Sequence, residues 1–390
     1  MQSGQSNLGA LHGVRVVDLS RVLGGPYCTQ ILGDHGADVL KIEPPFGDET
    51  RAWGPPFVGE VASYFNGVNR NKKGAAVDLS VAEGQHYLKK LLQDADVLVE
   101  NFKPGTLEKW GLTVDQLQED FPHLIHCRVS GFGADGPLGG LPGYDACAQA
   151  LCGLMSVNGE ADGDATRVGL PVVDMVTGLN AAVGILLALQ ERAKSGRGQF
   201  LDITLFDCAL SLLHPHAANF FGNGITPVRS GNAHPNIAPY ETVKTGQGDV
   251  FLAVGNDRQF AQLTDLLGVP EVANDPQFTT NKDRLTNRQA LHEALEQALG
   301  NHEANDVAEL LLRSGVPAAP VLNVKESLQH PHTQHRNMVI THGTYQGVAS
   351  PIKLSRTPAV LRYLPPELAA PTERPDWEVF RERQDSTNPT

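Results

Sequence analysis

The sequence predicts an α/β protein: a doubly wound, Rossmann-like large domain with a smaller α+β domain. Three observations carry this prediction. Strand-like and helix-like segments alternate through the first 210 residues, as they do where helices cross over between parallel strands. Six glycines fall in the thirteen residues 131–143, directly after a strand, where an open α/β sheet places its ligand. Composition then shifts near residue 222 to a stretch rich in glycine and proline, and a second, shorter set of elements follows.

In chain order, Val14–Leu19 reads as a β-rich strand and Pro26–Gly33 as a helix opened by Gly24-Gly25. Ala37–Ile42 is a second strand. Ser80-Val81-Ala82-Glu83 has the form of a capping box and predicts a helix to about Gln93. Asp96–Glu100 reads as a strand, Thr113-Val114-Asp115-Gln116 as another capping box, and Leu124–Ser130 as a strand. Helices are expected at Tyr144–Ser156 and Val172–Lys194. The second follows Pro171 and stops at Arg192, Lys194 and Gly196, which is good terminal chemistry. Gln199–Phe206 reads as a strand and Gly222–Pro239 as a linker. Tyr240–Lys244 and Val250–Val254 flank Thr245–Asp249 as a hairpin, with helices near 287–299 and 305–314. The domains expected are therefore 1–225, 226–328 and a C-terminal piece 329–390, whose polar end, 385–390, is expected to fray.

The 390 residues carry 31 basic and 44 acidic side chains, a net charge of −13. Such a chain is a poor candidate for nucleic acid or an anionic membrane surface. The longest uncharged stretches, Cys208–Val228 and Met175–Gln190, are interrupted or short, so no membrane span is expected. The opening MQSGQSNLGALHG has neither a basic start nor an apolar core, so no secretory signal is expected. Five cysteines, an odd number without C-x-x-C spacing, read as reduced thiols of a soluble cytoplasmic protein.

Several motifs can be weighed. Gly24-Gly25 and Glu43 invite dinucleotide binding, but that stretch reads Gly24-Gly25-Pro26-Tyr27-Cys28-Thr29 and lacks the G-x-G-x-x-G form, and no P-loop, G-x-S-x-G or H-E-x-x-H occurs in the chain. His330-x-His332-x-x-His335 lies in a proline-containing turn and reads as solvated, not as a metal site. His214-Pro215-His216 reads as a helix interruption. Asn69–Lys73 is either a solvated turn before a strand at Ala75–Leu79 or a phosphate anchor. Asp174 sits in the first turn of an otherwise uncharged helix. It is either an acid favoured by the helix dipole or a nucleophile. The small neighbours Thr177, Gly178 and Ala181 leave space beside it, and the helix N-terminus is expected to keep it ionised.

At these residues the chain resembles family III CoA-transferases, the group that includes formyl-CoA and carnitine CoA-transferases. The resemblance rests on residues 13–26, 36–43, Asn69–Lys73, Asp78-Leu79, Glu100–Gly105 and Gly143-Tyr144-Asp145. It implies that Asp174 is the nucleophile, and that CoA contacts come from Arg21, Val22, the stretch Asn71, Lys72, Lys73 through Asp78 and Leu79, and Asn101 with Phe102. Tyr144 and Asp145 would flank the thioester. The chain departs from the formyl-CoA transferase pattern at Pro44, where that pattern has a basic residue, and at Lys109, where it has arginine.

The resemblance further implies an interlocked homodimer, a CoA thioester as substrate, no permanently bound cofactor and no metal. It implies an aspartyl-CoA thioester formed by trading one thioester for another. Racemases of 2-methylacyl-CoA share the fold but carry histidine at the position of Tyr144, whose phenol is a poor proton shuttle near neutrality. A non-catalytic CoA- or dinucleotide-binding module is the other alternative. Within the family the chain looks most like the branch that moves CoA from succinyl-CoA to dicarboxylic acids such as glutarate, hydroxymethylglutarate, itaconate or malate. The matching stretches are Trp53–Gly59, Tyr144–Ala146 with Gly153–Met155, and Gly231–Tyr240. The last is either a mobile loop or a rigid, proline-braced connection. There His234 or Arg229 is expected to meet the far carboxylate of a diacid.

Overall fold

The computed structural model describes residues 9–380; the polar end expected to fray and most of the opening segment lie outside the described residues. Six strands, β1 (Arg15–Asp18), β2 (Asp38–Glu43), β3 (Lys72–Ala76), β4 (Val97–Glu100), β5 (Ile125–Ser130) and β6 (Phe200–Thr204), form one sheet. Their order is β3-β2-β1-β4-β5-β6, and every neighbouring pair is parallel. The order reverses between β1 and β4. At such a switch point the connections leave in opposite directions and open a crevice at the carboxyl ends of the strands.

Alternate side chains build a core on each face. Val17, Leu40 and Leu98 meet α2 (Ala82–Leu92) and α3 (Val114–Asp120) through Leu88, Leu91 and Leu117. Val16, Val39, Val97 and Val99 meet α1 (Gly24–Asp34) and α5 (Val172–Ser195) through Cys28, Leu32, Ala181 and Ile185. A period of two with both faces covered explains why these strands read as nearly continuous apolar runs. Two further helices, α4 (Asp145–Leu151) and α6 (Leu205–Ser211), follow β5 and β6. The C-terminal segment returns to this unit: Trp377 and Phe380 join the first core, and Asn71 bonds the backbone of Val360, Arg362 and Tyr363.

Four local expectations are corrected. Ser80 does not cap α2, because its N–H and hydroxyl both donate to the Asp78 carboxylate, and the helix starts at Ala82. Thr113 does cap α3, accepting from Gln116 N, but the Gln116 side chain turns to Asp120 and no reciprocal box forms. The helix expected over 144–156 breaks after Leu151, with Gly153 at φ 95°. Asn69–Lys73 is no solvated turn: Asn69, Arg70, Asn71 and Lys72 are buried, and β3 begins at Lys72.

α5 is also longer than its uncharged stretch. By length and composition this 24-residue helix is sufficient to cross a membrane, with mean hydropathy 2.0 over an 18-residue window that is 39% buried. Its buried face, Val173, Thr177, Gly178, Ala181, Ala182, Ile185 and Ala188, belongs to the core, whereas Leu179, Val183, Leu186 and Leu187 are exposed.

The chain divides into two compact units. One holds the described residues of Met1–Cys152 with Gly169–Leu212 and His335–Thr390; the other holds Gly153–Val168 and Leu213–Gln334. The boundaries thus fall at 212/213 and 334/335, and the smaller unit takes in a further segment from 153–168. That unit has a three-stranded antiparallel sheet of β7 (Tyr240–Lys244), β8 (Asp249–Ala253) and β9 (Ala318–Pro320), ordered β9-β8-β7. Gly248, at φ 87°, makes the β7–β8 turn. The sheet packs Val243, Val250 and Leu252 against α8 (Asp257–Leu266), α9 (Arg288–Leu299) and α10 (Ala304–Arg313), while α7 (His216–Asn223) precedes β7.

Candidate active site

The crevice at the β1/β4 switch point is held from beneath by charges inside the protein. Beyond β1, the N–H and hydroxyl of Ser20 donate to one oxygen of Asp18. Lys72 Nζ donates to the other at 3.0 Å, and to the Pro26 carbonyl and Asn69 Oδ1 at 2.9 Å each. Lys41 Nζ donates to the Ser20 carbonyl at 2.8 Å and to Asp48 at 3.1 Å. Burial pushes the Asp18 carboxyl up, but Lys72 and Lys41 outweigh it and hold the pKa at about 2. Burial draws Lys72 down to about 8 against the pull of Asp18.

This lattice fixes the turn Ser20–Gly25 at both ends. Within it Val22 has φ 69°, a left-handed conformation strained for a β-branched residue. Asn101, just past β4, enforces it: its Oδ1 accepts the Arg21 N–H at 2.9 Å and its Nδ2 donates to the Arg21 carbonyl at 2.7 Å.

Two glycines bring the next helix in. A Cβ on Gly25 would lie 2.3 Å from the Ser20 Cβ, and one on Gly178 would lie 2.6 Å from the Gly24 carbonyl. The start of α1 therefore seats directly on α5, one turn beyond Asp174, and a Cβ on Gly24 would stand 3.5 Å from Asp174 Oδ1. Arg21, Val22, Asn101, Phe102, Tyr144 and Asp174 line one cleft of about 230 Å³, closed by the two ends of the glycine-rich loop at Gly131 and Gly143. Those ends touch: a Cβ on either would fall under 3 Å from the other's backbone. Arg21 Nε is buried there with no acceptor, and its guanidinium lies 6.0 Å over the Phe102 ring.

Asp174 is not held ionised, contrary to the expectation from its helix position. Its pKa is pushed up to about 7, by burial first and by the Asp145 charge second. The reason is local. Asp145 Oδ2 takes the N–H groups of Val173 and Asp174 at 2.8 and 3.0 Å, the very donors a first-turn carboxylate would have used. Tyr64 feels the same field: burial, then Asp174, Asp145 and Asp48, push its phenol up to about 12, so it remains protonated. The site thus offers a carboxylate poised near neutrality in a cleft that Arg21 also lines.

Other expected residues lie elsewhere. Asn71 and Lys72 are buried and fully engaged as described, and the Lys73 ammonium stands 4.5 Å over the Tyr363 ring. Leu79 is in the core, Asp78 bonds Ser80, and Lys109 is exposed on the turn Glu108–Trp110. Pro44 is half-buried after β2. Arg229 and His234 line a different cleft, in the smaller unit. Lys103, which lines the site cleft, was not singled out although it stands in the Asn101–Gly105 motif; nor was Tyr64. Among the described residues no group of three or more His, Cys, Asp or Glu side chains is arranged to hold a metal.

The sequence model of CoA-transferase family III matches residues 11–372. The chain is a family III CoA-transferase. It is similar to the succinate–glutarate CoA-transferase of Agrobacterium fabrum, 40% identical over 365 residues that cover 90% of this chain and 91% of that one. The human succinyl-CoA:glutarate CoA-transferase is 39% identical, over 87% of this chain and 78% of its own. Among solved structures, a CaiB/BaiF family protein from Brucella suis matches with a TM-score of 0.84 at 39% identity, over 97% of this chain and 99% of that one. The transferase therefore works on CoA thioesters and carboxylates, as its family does.

Proposed function

We propose that this transferase moves CoA from succinyl-CoA to a dicarboxylic acid through an aspartyl-CoA thioester on Asp174. The observation that carries the proposal is that Asp174 lines one cleft with the ends of the glycine-rich loop and with Arg21, Asn101, Phe102 and Tyr144. In its ionised form, Asp174 attacks the donor's carbonyl carbon and the C–S bond breaks. A mixed anhydride and CoA thiolate result. The thiolate then attacks the aspartyl carbonyl, releasing the donor acid as its carboxylate. The acceptor carboxylate repeats the exchange in reverse order. One thioester is traded for another, so no net proton or phosphate is consumed. Backbone N–H groups of the loop 131–143 would receive the developing oxyanions, and Arg21 with Asn101, Phe102 and Tyr144 would hold CoA and the thioester.

The names of the relatives support a succinyl donor and a diacid acceptor. A diacid needs a group that meets its far carboxylate, since a desolvated, unpaired carboxylate is costly. We also propose a homodimer in the cytoplasm. The exposed Leu179, Val183, Leu186 and Leu187 on α5 support a protein partner there. The test of the function is turnover of succinyl-CoA with a panel of acids, the new CoA esters being read by mass. Dicarboxylates such as glutarate should be the better acceptors; equal kcat/KM for glutarate and butyrate would sink the acceptor assignment.

A further inference from the structure

The loop that leaves β4, residues 101–104, forms one wall of the cleft that Asp174 lines. What aims this loop is a carboxylate that does not itself line the cleft. Glu100 ends β4 and is 1% exposed, and its two oxygens are divided between two tasks. Oε2 accepts the N–H of Phe102, two residues on, at 2.8 Å. Oε1 accepts Nε of Arg128, its register partner on β5, at 2.7 Å. Arg128 is buried in turn, with Nη2 donating to Glu108 at 3.0 Å and its guanidinium 5.4 Å over the Phe200 ring. A carboxylate bonded on both oxygens is not free to rotate, so the backbone at Phe102 is tied to the sheet.

The residue enclosed by that tie is Asn101. Its side chain holds both backbone groups of Arg21, at 2.9 and 2.7 Å, and Val22 follows at φ 69°. A short amide can meet a donor and an acceptor of one distant residue only if its own backbone is fixed, and the bond from Phe102 N–H to Glu100 closes the turn that fixes it. The order of control therefore runs from Arg128 to Glu100, then to Asn101, then to the turn Ser20–Gly25. Stability alone does not account for the ion pair. Two apolar side chains at this register would fill the space without desolvating two charges, and would often be as stable. They would leave the Phe102 N–H without its acceptor and Asn101 without a fixed aim.

We infer that Glu100, oriented by Arg128, is a positioning residue for CoA: it sets the loop 101–104 so that Asn101 holds the turn Ser20–Gly25 in the shape that receives CoA. The inference rests on the reading above that Arg21, Asn101 and Phe102 hold CoA, and adds the group that arranges them. The test is calorimetric titration of the full-length protein with CoA. In Glu100→Gln the remaining oxygen goes to the charged Arg128 and the amide NH₂ opposes the Phe102 N–H, so the turn is released at unchanged volume. Glu100→Gln and Asn101→Ala should each weaken CoA about tenfold. The double variant should also lose about tenfold, where independent effects would give about a hundredfold, because Glu100 acts through Asn101. Glu100→Asp is too short for Arg128 but still reaches an N–H two residues on, as in an Asx turn, and should bind CoA within about threefold of wild type. A purely structural ion pair would make Glu100→Asp as weak as Glu100→Gln. That result overturns the inference, as do additive losses in the double variant. If Glu100→Gln does not fold, a tenfold loss in Glu100→Asp still overturns it. Wild-type affinity in Glu100→Gln with a loss in Asn101→Ala overturns it and leaves the CoA reading standing. If Asn101→Ala also binds CoA as wild type does, that reading falls with it.

Discussion

The Asp145 carboxylate accepts the backbone N–H of Asp174 at 3.0 Å while its charge raises the Asp174 side chain toward neutrality. One residue therefore both caps the helix that carries the proposed nucleophile and, after burial, raises the pH at which that carboxyl ionises. Since attack needs the carboxylate form, kcat/KM for the donor should rise with pH and level off above about 7. Asp145→Asn keeps an oxygen for the two N–H groups and removes the charge. The acid limb of its pH profile should move to lower pH, by roughly one unit. An unmoved limb would mean that burial alone sets the value.

The same shift has a cost in stability, with a definite sign. The Asp174 carboxyl binds its proton more tightly folded, near 7, than unfolded, near 3.8. Stability is therefore intact below about pH 4 and lost as pH rises through 7, by on the order of 4 kcal/mol at most. Asp174→Asn should then raise the melting temperature at pH 8 and leave it nearly unchanged at pH 4. Equal effects at both values, by calorimetry, would contradict the assignment.

Gly178 admits the Gly24 carbonyl to the surface of α5, where an alanine Cβ would sit 2.6 Å from that oxygen. Gly178→Ala should push α1 away from α5, costing about 1–3 kcal/mol in denaturant unfolding. It should also lower kcat, because the same displacement moves the turn Ser20–Gly25 relative to Asp174.

Lys72 and Asp18 are both fully buried and bonded at 3.0 Å. Lys72→Met leaves the carboxylate inside with its main partner gone, and stability should fall by about 3–5 kcal/mol. Adding Asp18→Asn should recover much of that loss. If the double variant is no better than the single, the charge pair is not what the site rests on.

The parallel, doubly wound sheet and its ligand loop were legible because strand-like and helix-like segments alternate and the glycines of 131–143 follow a strand directly, whereas the strand order is set by pairing that no local pattern reports. The position of Asp174 was legible from the start and stop chemistry of its helix. Its proton affinity was not, since that depends on Asp145 reaching across 29 residues to take the helix's own donors. The basic run Asn69–Lys73 misled for a related reason. Charge is visible in a sequence, but whether Lys72 meets solvent or a buried Asp18, 54 residues away, is decided by strand pairing. Ser80 was misread because Asp78, two residues before it, competes for its hydroxyl.

The most direct test of the account is the mass of the protein after incubation with succinyl-CoA and no acceptor acid. Wild-type protein should gain the mass of CoA less one water, on the peptide that contains Asp174, and adding glutarate should discharge it. Asp174→Asn should gain nothing. Rapid CoA transfer without any such adduct, or an adduct on another residue, would contradict a covalent role for Asp174.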